Sequence, residues 1–269
     1  VSSDDATATT GVLALLQTGE LTVEGRVVAA SNLTLYARVD GPDQATTSCV
    51  YKPVSGERPL WDFPDGTLAA RERAAYLVSQ AGGWRLVPPT VLRDGPLGPG
   101  MCQQWVVTDE SVRWVDLLLD EADVPEGWRP VVRGQDELGR AVTLVHRDDD
   151  RLRSMTLLDA VLNNADRKGG HLLATADAGL VGVDHGLCLH SDPKLRTVLW
   201  GWAGEPLTAT EQQRLGAVAA WLDDRPAELA DLISVQERDG LRARVDALGS
   251  SGHLPRPSRS WPAIPWPAF

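Results

Sequence analysis

The chain predicts an α+β fold of two lobes around a cleft. Two observations carry this: β-rich segments crowd the first hundred residues, and helical patterns fill the rest, with a joint near residue 107. A length of 269 residues with 43% apolar and 23% charged residues gives enough material for a substantial core. We therefore expect an antiparallel-sheet N-lobe over 1–107 and a mainly helical C-lobe over 108–269.

Residues 8–18 read as a short helix, with Val12, Leu13, Leu15 and Leu16 apolar and Gly19 ending it. Three β-rich stretches follow at 23–30, 33–40 and 47–53, separated by Ser31-Asn32 and by the Gly41-Pro42-Asp43 turn, which predicts a meander. Residues 54–66 hold two glycines and two prolines and read as loop. Thr67 to Gln80 reads as a helix with Thr67 as N-cap and Gly82-Gly83 as terminator. Strands fit 85–93 and 101–107, split by a Gly95–Gly100 turn. Helices fit 111–121 and 151–163, with a Pro-, Gly- and charge-rich stretch between them. Short strands at 171–174 and 179–183 meet at Asp177-Ala178-Gly179. Thr208 to Glu211 matches a capping box opening a helix to about Trp221, and another helix covers 226–247. The segment 254–269, with five prolines and with Trp261 and Trp266, reads as extended and pinned by its aromatic residues; a partner-binding tail is the alternative.

Charge and composition remove several function classes. A net charge of −11 disfavours nucleic acid and anionic membrane surfaces as partners. No apolar run of bilayer length occurs, and the polar, acidic start does not resemble a signal peptide. Cys49, Cys102 and Cys188 are scattered and lack metal-ligand spacing, so reduced, buried thiols and a cytoplasmic location are expected.

The chemistry concentrates in two aspartates. Asp166 lies in Asn163-Asn164-Ala165-Asp166-Arg167-Lys168-Gly169-Gly170-His171, and Asp184 follows in Val183-Asp184-His185-Gly186. Phosphoryl transfer from ATP needs such a pair, one carboxylate to orient the attacking hydroxyl and one to hold Mg²⁺ on the phosphates. Two surface turns are the plainer reading of either motif alone. Only three of 26 basic residues are lysine, and Lys52 closes an apolar strand, where a compact ammonium suits a phosphate; a lysine reaching solvent from a strand end is the alternative. Glu72 shares a helical face with Leu68, Ala75 and Ser79, and a carboxylate there calls for a counter-charge such as Lys52. Gln104, Trp105 and Val106 form a connector that could offer main-chain groups to adenine, although a plain core strand fits as well. Residues 21–40 contain only Gly25, so no glycine-rich phosphate loop is present, and Ser31 and Asn32 stand where it would cap a phosphate.

In their order, Tyr51-Lys52-Pro53, Glu72 with Ala75-Tyr76, Gly100 to Val106, Leu158 to Arg167 and Val183 to Leu187 resemble the phosphatidylinositol 3-/4-kinase-like group. The pattern is nearest to type II phosphatidylinositol 4-kinases and is also similar to HipA-type bacterial kinases. Trp200-Gly201-Trp202 adds to the likeness, which spans about 25–205. The resemblance implies a protein-kinase-like fold, ATP as substrate and Mg²⁺ as ion. It makes Asp166 the catalytic aspartate, Lys52 the phosphate-binding lysine, Glu72 its ion-pair partner and Asp184 the metal ligand. Relatives place a metal-binding asparagine five residues after the catalytic aspartate, whereas His171 stands here. That departure points to one metal, to a softer ion such as Mn²⁺, or to another role for His171. The acidic chain favours a protein or small-molecule acceptor over a phosphoinositide. A pseudokinase that binds ATP without turnover is the second reading.

Overall fold

Alternating apolar residues build the first sheet. The computed structural model describes residues 3–27, 32–119, 123–177 and 179–269, residues 3–7 by backbone alone. Helix α1 (Ser3–Thr18) precedes strands β1 (Glu20–Arg26), β2 (Leu35–Asp40) and β3 (Thr46–Pro53). Helix α2 (Leu68–Ala81) and the hairpin β4 (Thr90–Gly95) and β5 (Gly98–Gln104) follow. The strands form one antiparallel sheet in the order β1-β2-β3-β5-β4. Leu35, Ala37 and Val39 of β2 and Cys49 and Tyr51 of β3 are buried together with Leu16 of α1. The two-residue period puts Lys52 on the other face from Tyr51.

Several boundaries differ from expectation for local physical reasons. Arg85 takes a left-handed backbone and Pro88-Pro89 cannot donate to a ladder, so β4 starts only at Thr90. The expected Gly95–Gly100 turn shrinks to Pro96-Leu97, because Gly95 pairs with Gly98. Gly100 is needed inside β5: a Cβ there would stand 2.5 Å from the Lys52 carbonyl oxygen on β3. Thr67 precedes α2 but does not cap it with its side chain. The Glu57 carboxylate reaches in from the loop and accepts from Leu68 N at 3.1 Å and Ala69 N at 2.8 Å.

The largest correction concerns 111–121. Instead of a helix, β6 (Val115–Leu119) joins β7 (Trp128–Gln135) and β8 (Ala141–Arg147) in a second antiparallel sheet, order β6-β8-β7. Val115 to Leu119 fits either period, and pairing with the buried Val142, Leu144 and Val145 of β8 selects the strand. The charged stretch after it closes as a hairpin in which Asp136 Oδ1 accepts from Leu138 N and Arg140 N, both at 2.9 Å.

Helix α3 (Asp150–Leu162) runs through the main core with Leu152, Met155, Leu157, Leu158, Val161 and Leu162 fully buried. Burying each such side chain contributes roughly 1.5–3 kcal/mol. The short strands β9 (Leu172–Ala174) and β10 (Leu180–Gly182) pair as expected. Helix α4 (Ala209–Asp224) carries the Thr208–Glu211 capping box. The expected 226–247 helix divides into a 3₁₀ turn at Pro226–Leu229 and α5 (Val235–Ser251), whose own capping box is Ser234–Glu237. In the last segment Trp261 is an anchor, donating from Nε1 to Lys194 O at 3.1 Å, whereas Trp266 is 83% exposed and anchors nothing. The architecture is α+β and two-lobed, with an antiparallel sheet in the first lobe and mainly helices in the second. No helix of the described residues is long and apolar enough to cross a membrane.

His146 of β8 is completely buried against Trp202, ring centroids 4.3 Å apart. Its Nδ1 lies 2.8 Å from Arg147 O and its Nε2 accepts from Gly201 N at 3.0 Å, which requires a neutral ring. Burial, aided by Arg129, pushes its pKa from 6.5 to about 4 despite the Arg147 carbonyl and Asp148. The unfolded chain therefore binds the extra proton more readily. The neutral ring's contribution is complete above about pH 6.5, is lost as pH falls toward 4, and is on the order of 3 kcal/mol at most. Melting temperatures measured between pH 7 and pH 4 should fall steeply for the native chain and less steeply for His146→Gln.

Candidate active site

Lys52, at the end of β3, reaches across to α2. Its Nζ donates to Glu72 Oε1 at 2.7 Å and to Asp184 Oδ1 at 2.9 Å. Glu72 is 1% exposed, and its second oxygen accepts from His185 N at 2.9 Å. One buried carboxylate thus ties strand, helix and the segment after β10 together. Burial opposes the charge on Lys52, but Asp184 and Glu72 outweigh it and hold the ammonium well above the ordinary lysine range. In return the Lys52 ammonium, against the effect of burial, keeps Asp184 far below the usual carboxylate range. Asp184 adopts a left-handed backbone, φ 60°, a conformation that Asp tolerates better than most side chains.

Asp166 is positioned by its neighbours. Helix α3 ends at Asn163 in a left-handed turn, and the chain then enters the loop. Asn164 is fully buried, donates from Nδ2 to Asp159 Oδ1 at 2.9 Å and accepts from Asp166 N at 3.0 Å. On the other side Arg167 makes a completely buried ion pair with Asp159, Nε to Oδ2 at 3.0 Å and Nη2 to Oδ1 at 3.0 Å. Arg167 also donates to Val183 O at 3.0 Å, and its Nη2 lies 2.7 Å from His185 Nε2. A guanidinium can only donate, so His185 Nε2 accepts and His185 is neutral with the proton on Nδ1. Burial, and then Arg167, push its pKa well down, in agreement. Asp166 itself is raised above the usual range, chiefly by burial, with Lys168 opposing and Asp184 adding to the rise. Lys168 Nζ stands 3.4 Å from Asp166 Oδ2.

His171 sits behind Asp184, with Nε2 3.5 Å from Asp184 Oδ2. Its Nδ1 accepts from Lys168 N at 3.5 Å, which leaves the proton on Nε2, turned toward the carboxylate. Burial pushes its pKa down to about 4, so the ring is neutral near pH 7.

Lys52, Glu72, Asp166 and Asp184 line one cavity of about 330 Å³, together with Asn32 and Arg58. Asn32 Oδ1 accepts from Arg58 N at 2.9 Å and so fixes that wall. Ser31 lies outside the described residues. Gln104, Trp105 and Val106 are not brought to this cavity. They line another, of about 500 Å³, with Val87, Pro89 and Thr175. There Gln104 N donates to Pro89 O at 2.8 Å and Trp105 N to Ser48 O at 2.9 Å, so those two N–H groups are already used.

Among the described residues no group of three His, Cys, Asp or Glu side chains is gathered as a ready-made metal site. Mg²⁺ bound with a nucleotide needs only one or two carboxylates besides phosphate oxygens and water. Asp184, whose side chain is 47% exposed, fits that role. The protonated Nε2 of His171 does not.

Sequence reasoning assigned no role to Asp159, Asn164, Arg167, His185, Glu57 or Arg58. A signal existed for Asp159: a carboxylate inside the apolar run Leu157-Leu158-Asp159-Ala160-Val161 needs a buried partner.

No family model matches the chain. Protein Rv2133c of Mycobacterium tuberculosis (strain ATCC 25618 / H37Rv) is 50% identical over 265 residues, covering 95% of each chain. Among solved structures, that of hydra Fam20 with sugar superposes with a TM-score of 0.58 over 93% of this chain and 89% of its own, at 15% identity. At that identity the likeness is one of fold, and the fold is protein-kinase-like.

The buried Asp159–Arg167 pair yields a direct expectation. Asp159→Ala strands a guanidinium at zero exposure and should lower stability by about 3–5 kcal/mol in urea denaturation. Asp159→Leu combined with Arg167→Met should recover much of that loss, since an apolar pair leaves no buried charge unmatched.

Proposed function

The chain belongs to the family of the Mycobacterium tuberculosis protein Rv2133c, and from that premise we propose that it is an ATP-dependent phosphotransferase. It moves the γ-phosphoryl group of ATP to a hydroxyl of a protein or small-molecule acceptor. One observation carries the reading: Lys52, bonded at once to Glu72 and Asp184, opens on the same cavity as Asp166. The kinase-like fold supports it.

In this reading residues 1–107 form the lobe that supplies Lys52 and Glu72, and 108–269 the lobe that supplies both aspartates. Glu72 aims the Lys52 ammonium, which donates to the nucleotide phosphates. Asp166 accepts a hydrogen bond from the acceptor hydroxyl and turns its oxygen toward the γ-phosphorus. The O–P bond forms as the bond to ADP breaks, and the hydroxyl proton passes to Asp166. The burial that raises the Asp166 pKa makes it a better proton acceptor than an ordinary carboxylate. Lys168, beside it, offsets charge on the transferred group. Asp184 would hold a divalent ion, Mg²⁺ or Mn²⁺, whose contribution when bound is to neutralise phosphate charge.

A net charge of −11 favours a soluble acceptor over a phosphoinositide headgroup in an anionic membrane, which argues against the lipid-kinase branch of the resemblance. Three buried, unpaired thiols favour the cytoplasm. The second reading, a pseudokinase, rests on His171, which presents an N–H to Asp184 where an oxygen ligand would serve a second ion.

ATP titration by calorimetry, with and without Mg²⁺ or Mn²⁺, followed by an ATP-consumption assay, separates the two. Binding without turnover under either metal supports the pseudokinase, and no binding at millimolar ATP removes both. Lys52→Ala should weaken ATP binding by roughly tenfold or more, because a charge-assisted bond to phosphate is lost. Glu72→Gln should weaken it less, and Lys52→Arg should fail to restore it. Asp166→Asn should bind ATP normally yet lose at least about 10²-fold in turnover.

A further inference from the structure

A separate cavity of about 660 Å³ opens in the helical lobe between α3, α5 and the 253–261 segment. It shares no wall residue with the Lys52–Asp184 cavity, and its volume suits a small-molecule ligand. Much of the wall is apolar, with Trp200, Leu248 and Trp261 prominent. Both indole N–H groups are already satisfied, Trp200 by Ala263 O at 2.8 Å and Trp261 by Lys194 O at 3.1 Å. The two rings therefore need no polar partner and serve as hydrophobic surface.

The charge of this cavity runs against that of the chain. Acidic residues outnumber Lys and Arg by 37 to 26 overall, yet no Asp or Glu lines the cavity and both Arg244 and Arg256 do. Two other arginines of this lobe have carboxylate partners: Arg153 has Glu211 and Arg242 has Asp223. Arg244 has none among the described residues. It spends Nε on Val161 O at 3.0 Å and Nη1 on His190 O at 3.2 Å, at the end of α3. Its Nη2 is buried with no acceptor. A buried donor without an acceptor costs about 1–3 kcal/mol, and more on a charged group. Burial pushes the Arg244 pKa down to about 10, with Cys188 and Glu237 opposing only in part.

We propose that this cavity binds a small organic anion, with its acidic head on Arg244 and Arg256 and its aliphatic or aromatic body against Trp200, Trp261 and Leu248. Asn163 belongs to the same wall and caps α3 three residues before Asp166, so the occupant touches the root of the loop that carries Asp166. The site does not depend on the phosphotransferase reading.

Anilinonaphthalene sulfonate, an aromatic anion with its own fluorescence, is a suitable probe for the full chain. Saturable one-site binding is expected, displaced by octanoate and not by octylammonium. Arg244→Met and Arg256→Ser, each checked for an unchanged melting transition, should weaken binding roughly tenfold. Arg256 is exposed, so its variant tests the proposal even if Arg244→Met fails to fold. Non-saturable binding, equal displacement by octylammonium, or unaltered affinity in the folded variants would overturn the proposal and leave Arg244 as a cap on α3.

Discussion

Glu72 cannot be buried alone, and the first lobe is joined to the second by how its charge is satisfied. At 1% exposure the carboxylate has lost its hydration, and an ionised group in that position must find donors at hydrogen-bond distance. One oxygen takes the Lys52 ammonium from β3 and the other takes the His185 main-chain N–H next to Asp184. Sheet, helix α2 and the Asp184 segment are thereby held around one group. Arg71, one residue earlier on α2, adds a second tie through its buried pair with Glu237 of α5 and its bond to Cys188 O at 2.8 Å. Shifting α2 would have to break both attachments.

Beneath this layer lies a second one that never meets solvent. Arg167 and Asp159 have no exposed side-chain area, and Asn164 and His185 complete their bonding. A buried pair of this kind is a poor source of net stability, because its desolvation cost offsets most of the attraction. What it gives is geometry. Asp166 is suspended between Asn164 and Arg167, so its main chain cannot drift while its carboxylate stays 21% exposed to the cavity. Neutral histidines suit the arrangement, since burial and the neighbouring Arg167 guanidinium both disfavour a charged ring.

Much of this was legible in the sequence, residue by residue. The two-residue period of β2 and β3, the Ala- and Leu-rich face around Glu72, and the Thr208–Glu211 capping box are local patterns, and local patterns report local structure. The failures were of another kind. Val115 to Leu119 fits helix and strand alike, and its partner β8 lies more than twenty residues on. Thr67 looked like a sufficient N-cap, but Glu57 takes that role from a loop whose path no period encodes. Gln104 to Val106 line a cavity separate from that of Lys52, a placement that the order of motifs does not encode.

The sequence by itself determined the inventory: a lysine ending an apolar strand, a carboxylate on an apolar helical face, two aspartates in glycine-bounded loops, and an acidic balance of −11. Residue types and short spacings set most of the elements, β6 excepted, and which side chains could carry charge, because those depend on neighbours within a few positions. Only the tertiary structure decided that Asp184 shares Lys52 with Glu72 across 132 residues of chain, or that His171 turns an N–H toward Asp184. It alone leaves the Arg244 guanidinium short of one acceptor at a cavity wall. Those outcomes depend on which buried charges find partners once the lobes have packed, and pairing at that range leaves no periodic trace in the chain.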